Sequence, residues 1–380
     1  MKRFFLAACG AAMVAGASAQ IANVDFDSYA DGALAGQGSP AWNVQSSDAS
    51  YHTVGASPYA LGTKSYNVDT GPLGVGNWAW QDYSYTPVGG RTIVVAQSVG
   101  VIETDPLDRA SSGMGIDAYQ GGPFARMAGI LWFVEGGGFT GEVDLVGDVT
   151  IVHPTLTPVS NTRYLATLCM NLSTAQACAF FDDTEVGVTT PVNMTSYTVG
   201  SSFTDADNWS VATGYNILHH DNLTIDAVVP GTIRGSVVLQ DWVASPSGQG
   251  VAVEIRDSAG MVVLDTQYTT LNANGVFEVS TAVRGAVTIA VKGNKWLNRL
   301  RTTVSNLTDF GVFGISYSLI AADCNNDNAV DIADYAIISG SYNLGLGDAG
   351  YDPNSDVNGD DACDIADYAI LSSNYGLSGD

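Results

Sequence analysis

Two stretches near the carboxyl end place oxygen-bearing side chains at one fixed spacing. The first is Asp323-Cys324-Asn325-Asn326-Asp327-Asn328-Ala329-Val330-Asp331-Ile332-Ala333-Asp334, the second Asp356-Val357-Asn358-Gly359-Asp360-Asp361-Ala362-Cys363-Asp364-Ile365-Ala366-Asp367. They are offset by 33 residues, and Asp-Ile-Ala-Asp-Tyr-Ala-Ile recurs unchanged at 331–337 and 364–370. Read as twelve-residue loops, Asp323, Asn325, Asp327, Asp331 and Asp334 stand at positions 1, 3, 5, 9 and 12, and Asp356, Asn358, Asp360, Asp364 and Asp367 repeat them. Such oxygens, with the backbone carbonyl of Ala329 or Ala362 at position 7, suit a hard divalent cation, calcium above all, in an EF-hand-type loop. Position 6, usually glycine because the chain turns sharply there, holds Asn328 and Asp361, the non-glycine types that best tolerate a left-handed backbone. Position 12 holds Asp334 and Asp367 in place of the longer Glu, which brings the following helix closer to the ion.

Each loop runs into apolar residues at helical spacing: Ile332, Tyr335, Ala336 and Ile338, then Ile365, Tyr368, Ala369 and Leu371. No comparable helix precedes either loop. Residues 323–380 contain 12 Asp and no Lys, Arg or Glu. Charge repulsion therefore predicts a segment that stays unfolded until a cation binds, so that metal uptake and folding are one event. A merely solvated acidic tail would need neither the fixed aspartate positions nor the helical spacing. A doubled loop–helix unit without entering helices resembles the dockerin module, over about 55 residues. The resemblance implies a small calcium-folded α module over 322–380, with two metal sites, that docks onto a cohesin-like receptor. In the best-known dockerins positions 10 and 11 carry small hydroxyl residues that contact cohesin. Here they are Ile332-Ala333 and Ile365-Ala366, which leaves another surface receptor, or a structural cap, open.

At the amino end, Lys2 and Arg3, an apolar run from Phe4 to Gly16, and Ala17-Ser18-Ala19 before Gln20 read as a secretory signal peptide over 1–19. The chain is thus expected to be secreted, extracellular or at the cell surface. Leu6-Ala7-Ala8-Cys9 also matches a lipobox, although only eight residues precede the cysteine. No later stretch approaches 18 consecutive apolar residues, so no membrane span is expected. A net charge of −25 repels nucleic acid and anionic membranes and attracts divalent cations. Four cysteines follow Cys9. Cys169 and Cys178 flank a hairpin-like stretch and are expected to form a cross-strand disulfide. Cys324 and Cys363 either join the two loops, or Cys363 fills the small apolar place held by Val330 in the first copy. None has CxxC spacing, which argues against zinc.

These features must be carried by strands. Residues 20–229 alternate strand-like runs with Gly, Asn, Asp and Ser turns, for example Arg91 to Val99, Gly129 to Val134, Phe139 to Val152, Tyr164 to Met170 and Ala177 to Asp182. Many short strands predict a sandwich or jelly roll. The opening Asn23-Val24-Asp25-Phe26-Asp27 and closing His220-Asp221-Asn222-Leu223-Thr224 resemble laminin-G or concanavalin-like jelly rolls, whose first and last strands lie side by side. That pairing implies that Asp25, Asp27, Asp221 and Asn222 converge, as a third calcium site or as strand-end residues facing water. Residues 230–321 hold seven candidate strands, as in an immunoglobulin-like sandwich, and resemble the transthyretin-like, carboxypeptidase-regulatory spacers. Ala321-Ala322 abuts the first loop almost without a linker. The expected class is mostly β, with one small α module.

Catalytic signals are sparse. His52, His153, His219 and His220 are scattered, and no Gly-x-Ser-x-Gly elbow, phosphate loop or His-Glu-x-x-His is present. Glu142-Val143-Asp144 begins like the Glu-x-Asp of jelly-roll glucanases, but Val146 and Gly147 stand where a second Glu is required. Trp78 and Trp80, two apart on a strand, could form an aromatic platform for a polysaccharide, or pack a core. The sequence therefore points to a non-catalytic protein that binds glycan or a surface partner. A dockerin-borne glycoside hydrolase and a structural surface component are the alternatives.

Overall fold

The computed structural model describes residues 18–44, 49–69, 75–104, 112–120, 125–134, 141–212 and 216–380, the side chains of 49, 75–78, 211 and 212 apart. The signal-peptide reading falls almost wholly on residues 1–17, outside the described residues. Among the described residues no helix is long and apolar enough to cross a membrane.

The described residues between 18 and 228 build a ten-stranded and a seven-stranded sheet that enclose one apolar core. The core is filled by Phe26, Trp42, Tyr66, Trp132, Phe181 and Phe203 among others. Period-2 patterning explains the seven-stranded sheet: in Glu142–Val146, Val143 and Leu145 enter the core while Glu142, Asp144 and Val146 face away. The strand-like run at 139–152 is broken, Glu142–Val146 turning at Gly147 into Thr150–Val152. The expected pairing of first and last strands is present: Ser18–Val24 lies antiparallel to Ile217–Val228, with Val24 opposite Leu223.

The ten-stranded sheet is covered on both faces, which is why Ile93–Glu103 is almost continuously apolar. Val94 and Ala96 point into the sandwich core, whereas Ile93 and Val95 join Cys169, Cys178, Phe180, Phe310 and Phe313 in a second apolar layer. Phe310 and Phe313 belong to the next body. That body has a three-stranded sheet (Val276–Ser280, Thr232–Leu239, Val312–Leu319) and a four-stranded one (Val263–Thr270, Gly250–Asp257, Gly285–Gly293, Trp296–Leu307). Arg234 ties the bodies together, reaching Asp226 at 2.7 Å and Glu278 at 2.6 Å, both largely buried. Gly314, at φ +77°, lies so close that a Cβ there would meet the Asp182 carbonyl at 1.9 Å.

The disulfide expectations are corrected. Cys169 does stand opposite Cys178, yet both are free and buried in the layer beneath Phe313, where a thiol behaves as a small hydrophobe. Burial pushes the Cys178 thiol well up, disfavouring the thiolate that oxidation needs. Cys324 and Cys363 are also free and buried, and the Cys363 thiol donates to the Ile338 carbonyl at 3.4 Å. They occupy positions 2 and 8, which the other copy fills with Val357 and Val330, each fully buried. Each cysteine thus packs where its repeat partner is valine.

The chain ends in two ten-residue helices, α1 (Ile332–Ser341) and α2 (Ile365–Asn374). Their core runs on from the middle sandwich: Trp296, Leu297, Ala321 and Ala322 pack in one cluster with Cys324, Val330, Ile338, Val357, Cys363 and Leu371. The tail and the middle sandwich therefore share one interior. Replacing Phe313 by Ala removes a fully buried ring from the layer between the bodies. It is expected to lower stability by about 3–5 kcal/mol and to split thermal unfolding into two calorimetric transitions; a single, unshifted transition would show that the layer couples nothing.

Candidate metal centre

The two loops share most of their bonds, differing in that Asp323 Oδ1 accepts from Asp327 N whereas Asp356 Oδ1 accepts from Gly359 N, and in that Val357 N adds a bond to Asp367. Asp327 N donates to Asn325 Oδ1 at 2.9 Å, as Asp360 N does to Asn358 Oδ1 at 3.0 Å. Ala329 N and Ala362 N donate to Asp327 Oδ1 and Asp360 Oδ1, each at 3.0 Å. Asn328 N reaches Asp323 Oδ2 at 3.1 Å and Asp361 N reaches Asp356 Oδ2 at 3.2 Å. The position-12 carboxylates close each loop. Asp334 accepts from Asn325 N and Asp331 N, and Asp367 from Asn358 N and Asp364 N. Position 9 caps the helix: Asp331 and Asp364 accept at 2.7 Å from Ala333 N and Ala366 N. Asn328 and Asp361 sit at φ +73° and +67°, so the turn at position 6 is left-handed as their residue types predict.

The units clasp each other about an internal two-fold. After α1, Leu344–Gly345 pairs with Ala362–Cys363 of the second loop. After α2, Gly376 N donates to the Val330 carbonyl at 2.8 Å and Val330 N to the Leu377 carbonyl at 2.9 Å. Asp323, Asp334 and Asp367 are fully buried and Asp356 nearly so. Buried carboxylates need a compensating charge. The chemistry of the donor set, acceptor-only carboxylates with Asn oxygens, suits a hard cation with oxygen ligands. Asp323, Asn325, Asp327, Ala329, Asp331 and Asp334 would hold one ion, and Asp356, Asn358, Asp360, Ala362, Asp364 and Asp367 the other. Among the described residues no three acidic, imidazole or thiol groups converge as a ready-made metal site; the loops would have to add neutral amide and carbonyl oxygens.

Only part of the expected helical stripe is core. Ile338 and its counterpart Leu371 are buried, but Ile332 and Ile365 are 65% and 64% exposed, and Tyr335 and Tyr368 40% and 41%. The exposed four are two copies of one pair. With Ile338, Ser339 and Tyr342, all but Ile332 line a cavity of about 360 Å³ between the helices, and the two tyrosine rings meet edge-on at 6.0 Å.

Several solved structures are similar to parts of the chain. One is a chain of a type II cohesin–X-dockerin complex from Acetivibrio cellulolyticus, 22% identical over 39% of this chain and 97% of that one, with a TM-score of 0.32. The others are a cellulose induced protein, Cip1 (13% identity, 54% and 96% covered, TM-score 0.34), and peanut lectin (11%, 55% and 98%, 0.35). No family model matches the chain, and no curated protein matches it in sequence.

The other expected sites divide. Asp27 and Asp221 approach the same turn, Asp27 accepting from Thr63 N and Lys64 N at 2.7 Å and Asp221 from Leu61 N at 2.5 Å. Asp25 instead caps a short 3-10 turn through Ser28 N, and Asn222 takes φ +47°. The backbone of 61–64 thus occupies the carboxylates expected to converge. Trp80 is half-buried on the face opposite Ala79, which enters the core; the Trp78 side chain lies outside the described residues. His219 and His220 do point oppositely, to Glu103 at 2.9 Å and to Ser210 at 2.7 Å.

One cluster escaped the sequence reading. On the outer face of the seven-stranded sheet Asp207 stands directly opposite Asp117, with Asp205 two residues along. Because Ala79 pairs with Asn208, Trp80 falls beside Asp207. All three carboxyls are buried and each leaves one oxygen without a hydrogen-bond partner. Arg126 at 2.7 Å and Tyr119 at 3.1 Å hold the other oxygen of Asp117. The only sequence signal was Asp205, Asp207 and Trp209 at every second position of one strand. Burial pushes Asp117 up to about 6 despite Arg126. Burial raises Asp205 as well, and burial plus the neighbouring Asp205 carboxyl drives Asp207 well above the carboxylate range. A carboxyl whose folded pKa is raised binds protons more tightly folded than unfolded, so its contribution falls as pH climbs from about 4 through 6 and beyond. Burial depresses His219, and His220 to about 3, which bends the curve the other way. The test is therefore a difference. The stability of Asp207→Asn relative to wild type is expected to rise between pH 4 and 7, by at least about 1 kcal/mol, in urea titrations. A flat difference would mean that Asp207 is not strained by its charge.

Proposed function

We propose that the chain is a secreted, calcium-binding, non-catalytic docking protein whose carboxyl-terminal unit resembles a dockerin and whose amino-terminal jelly roll binds glycan. The observation that carries the docking reading is the duplicated apolar face. Ile332 with Tyr335, and Ile365 with Tyr368, are exposed side by side on a unit otherwise rich in aspartate. A duplicated, contiguous apolar pair, unlike single exposed residues, is the kind of patch a protein partner covers. The loops support the reading because their bonds fix the first turn of each helix, and with it the spacing of the two pairs. The receptor is cohesin-like or another surface protein with an apolar site that tolerates Ile-Ala at positions 10 and 11.

Glycan binding is favoured by the half-buried Trp80 beside the polar row of Asp117 and Asp207. An indole stacks on the apolar face of a sugar ring. Glu142 and Asp144 lie on the same outer face, and burial with the Glu142 charge raises Asp144 to about 6. Val146 and Gly147 still offer no carboxyl to complete a hydrolytic pair.

Two measurements decide. Full-length protein in calcium should bind an immobilised cohesin module or another tested surface receptor. The paired change Ile332→Asp and Ile365→Asp should weaken binding at least 100-fold while leaving calcium uptake intact. Chelation should also destabilise the middle-plus-tail unit; at free calcium a hundredfold above Kd each site contributes about 2.7 kcal/mol. Binding indifferent to both the variants and chelation would reject the docking reading. On a glycan array, Trp80→Ala should abolish binding without any release of reducing sugar by the wild type; sugar release would favour the hydrolase.

A further inference from the structure

The chain has four lysines, and two of them, Lys292 and Lys295, sit in one hairpin of the middle sandwich. Both reach the tail, but they do different things there. Lys292 Nζ donates to Asp323 Oδ2 at 2.5 Å, to the Trp296 carbonyl at 2.8 Å and to the Gly293 carbonyl at 3.0 Å. Its side chain is 16% exposed, and the Asp323 carboxylate not at all. The ammonium is therefore held, by two carbonyls, against position 1 of the first loop. Lys295 Nζ donates to the carbonyls of Pro353 and Asp356 and lies 4.8 Å from the centre of the Trp242 ring. It touches backbone at the second loop and stacks on an indole. The Asp356 carboxylate instead accepts from Gly359 N at 2.6 Å, Asp361 N at 3.2 Å and the Tyr351 hydroxyl at 3.3 Å. The two loops, nearly alike in their own bonds, thus differ in what the middle sandwich adds: an ammonium on a carboxylate oxygen at the first, an ammonium on backbone carbonyls at the second.

We propose that Lys292 is a built-in counter-cation of the first loop, so that the two loops take up divalent ions unequally, the second tightly and the first weakly. This rests on the calcium reading of the loops. A fixed positive charge repels an incoming dication a few ångströms away and occupies an oxygen that the ion needs. The same charge neutralises a buried carboxylate before any ion arrives. Lys295 also brings a positive charge to the second loop, but it is held on backbone carbonyls and leaves both Asp356 carboxylate oxygens to the ion, whereas Lys292 takes one of those of Asp323. The middle body is then a determinant of metal affinity as well as a spacer.

Calcium titration calorimetry of the full chain tests this. Two classes of site are expected, at least tenfold apart. Asp323→Asn should remove the weaker class and Asp356→Asn the tighter. Lys292→Met, which keeps the aliphatic stem, should strengthen the weaker class at least tenfold and lower the melting temperature of the calcium-free protein. The two aspartate variants assign the classes with the lysine in place, so they decide even if Lys292→Met folds poorly. The proposal is overturned if Asp323→Asn removes the tighter class, or if Lys292→Met leaves the weaker one unchanged. Absence of calcium uptake by the wild type would instead remove the calcium reading itself, a separate and recognisable result.

Discussion

Compensation of buried aspartate is the constraint on which the carboxyl-terminal half depends. Twelve Asp within 323–380, with no basic residue among them, cannot pack by their own chemistry. The fold answers in three ways. Backbone N–H groups turn into the carboxylates at positions 1, 5 and 12. The middle sandwich sends in an ammonium at Asp323. The remaining loop oxygens are of the hard, acceptor-only type that the proposed calcium ions would use. The apolar interior shared by Trp296, Val330, Val357, Ile338 and Leu371 then fixes the loops against the sandwich. The near-absence of a linker at Ala321-Ala322 goes with this shared interior, which supports the unit even before charge is counted.

The same logic of covered faces organises the rest. The ten-stranded sheet gives one face to the sandwich core and the other to Phe310 and Phe313, so the two β bodies meet through a dry layer sealed by the buried Arg234 cluster. The seven-stranded sheet places its strained carboxyls and Trp80 on its outer face.

What was legible in the sequence was local. The loops could be read because all their oxygens lie within twelve residues and repeat 33 residues later, and the helices because their apolar spacing follows directly. The pairing of Ser18–Val24 with Ile217–Val228 was readable from the ends of the domain, and the seven strands of the middle body from their turns. What could not be read depends on residues brought together across strands or bodies. Asp117 is far in sequence from Asp205 and Asp207. Lys292 and Asp323 meet only because a hairpin folds over the tail. Ile332 and Ile365 carry the stripe's apolar character but face outward, and the cysteines, expected as cross-links, serve as valine-sized core. Hydropathy gives the type of side chain and leaves its neighbours undetermined.

The central claim is that divalent ions order the paired loops. Amide hydrogen exchange of the full-length protein, in calcium and in chelator, addresses it most directly because it reads each loop separately. Calcium is expected to slow exchange at least 100-fold at the amides of 356–367 and, more modestly, at those of 323–334, while the strands of the jelly roll are unchanged. Equal protection of both loops in chelator and in calcium would contradict the account.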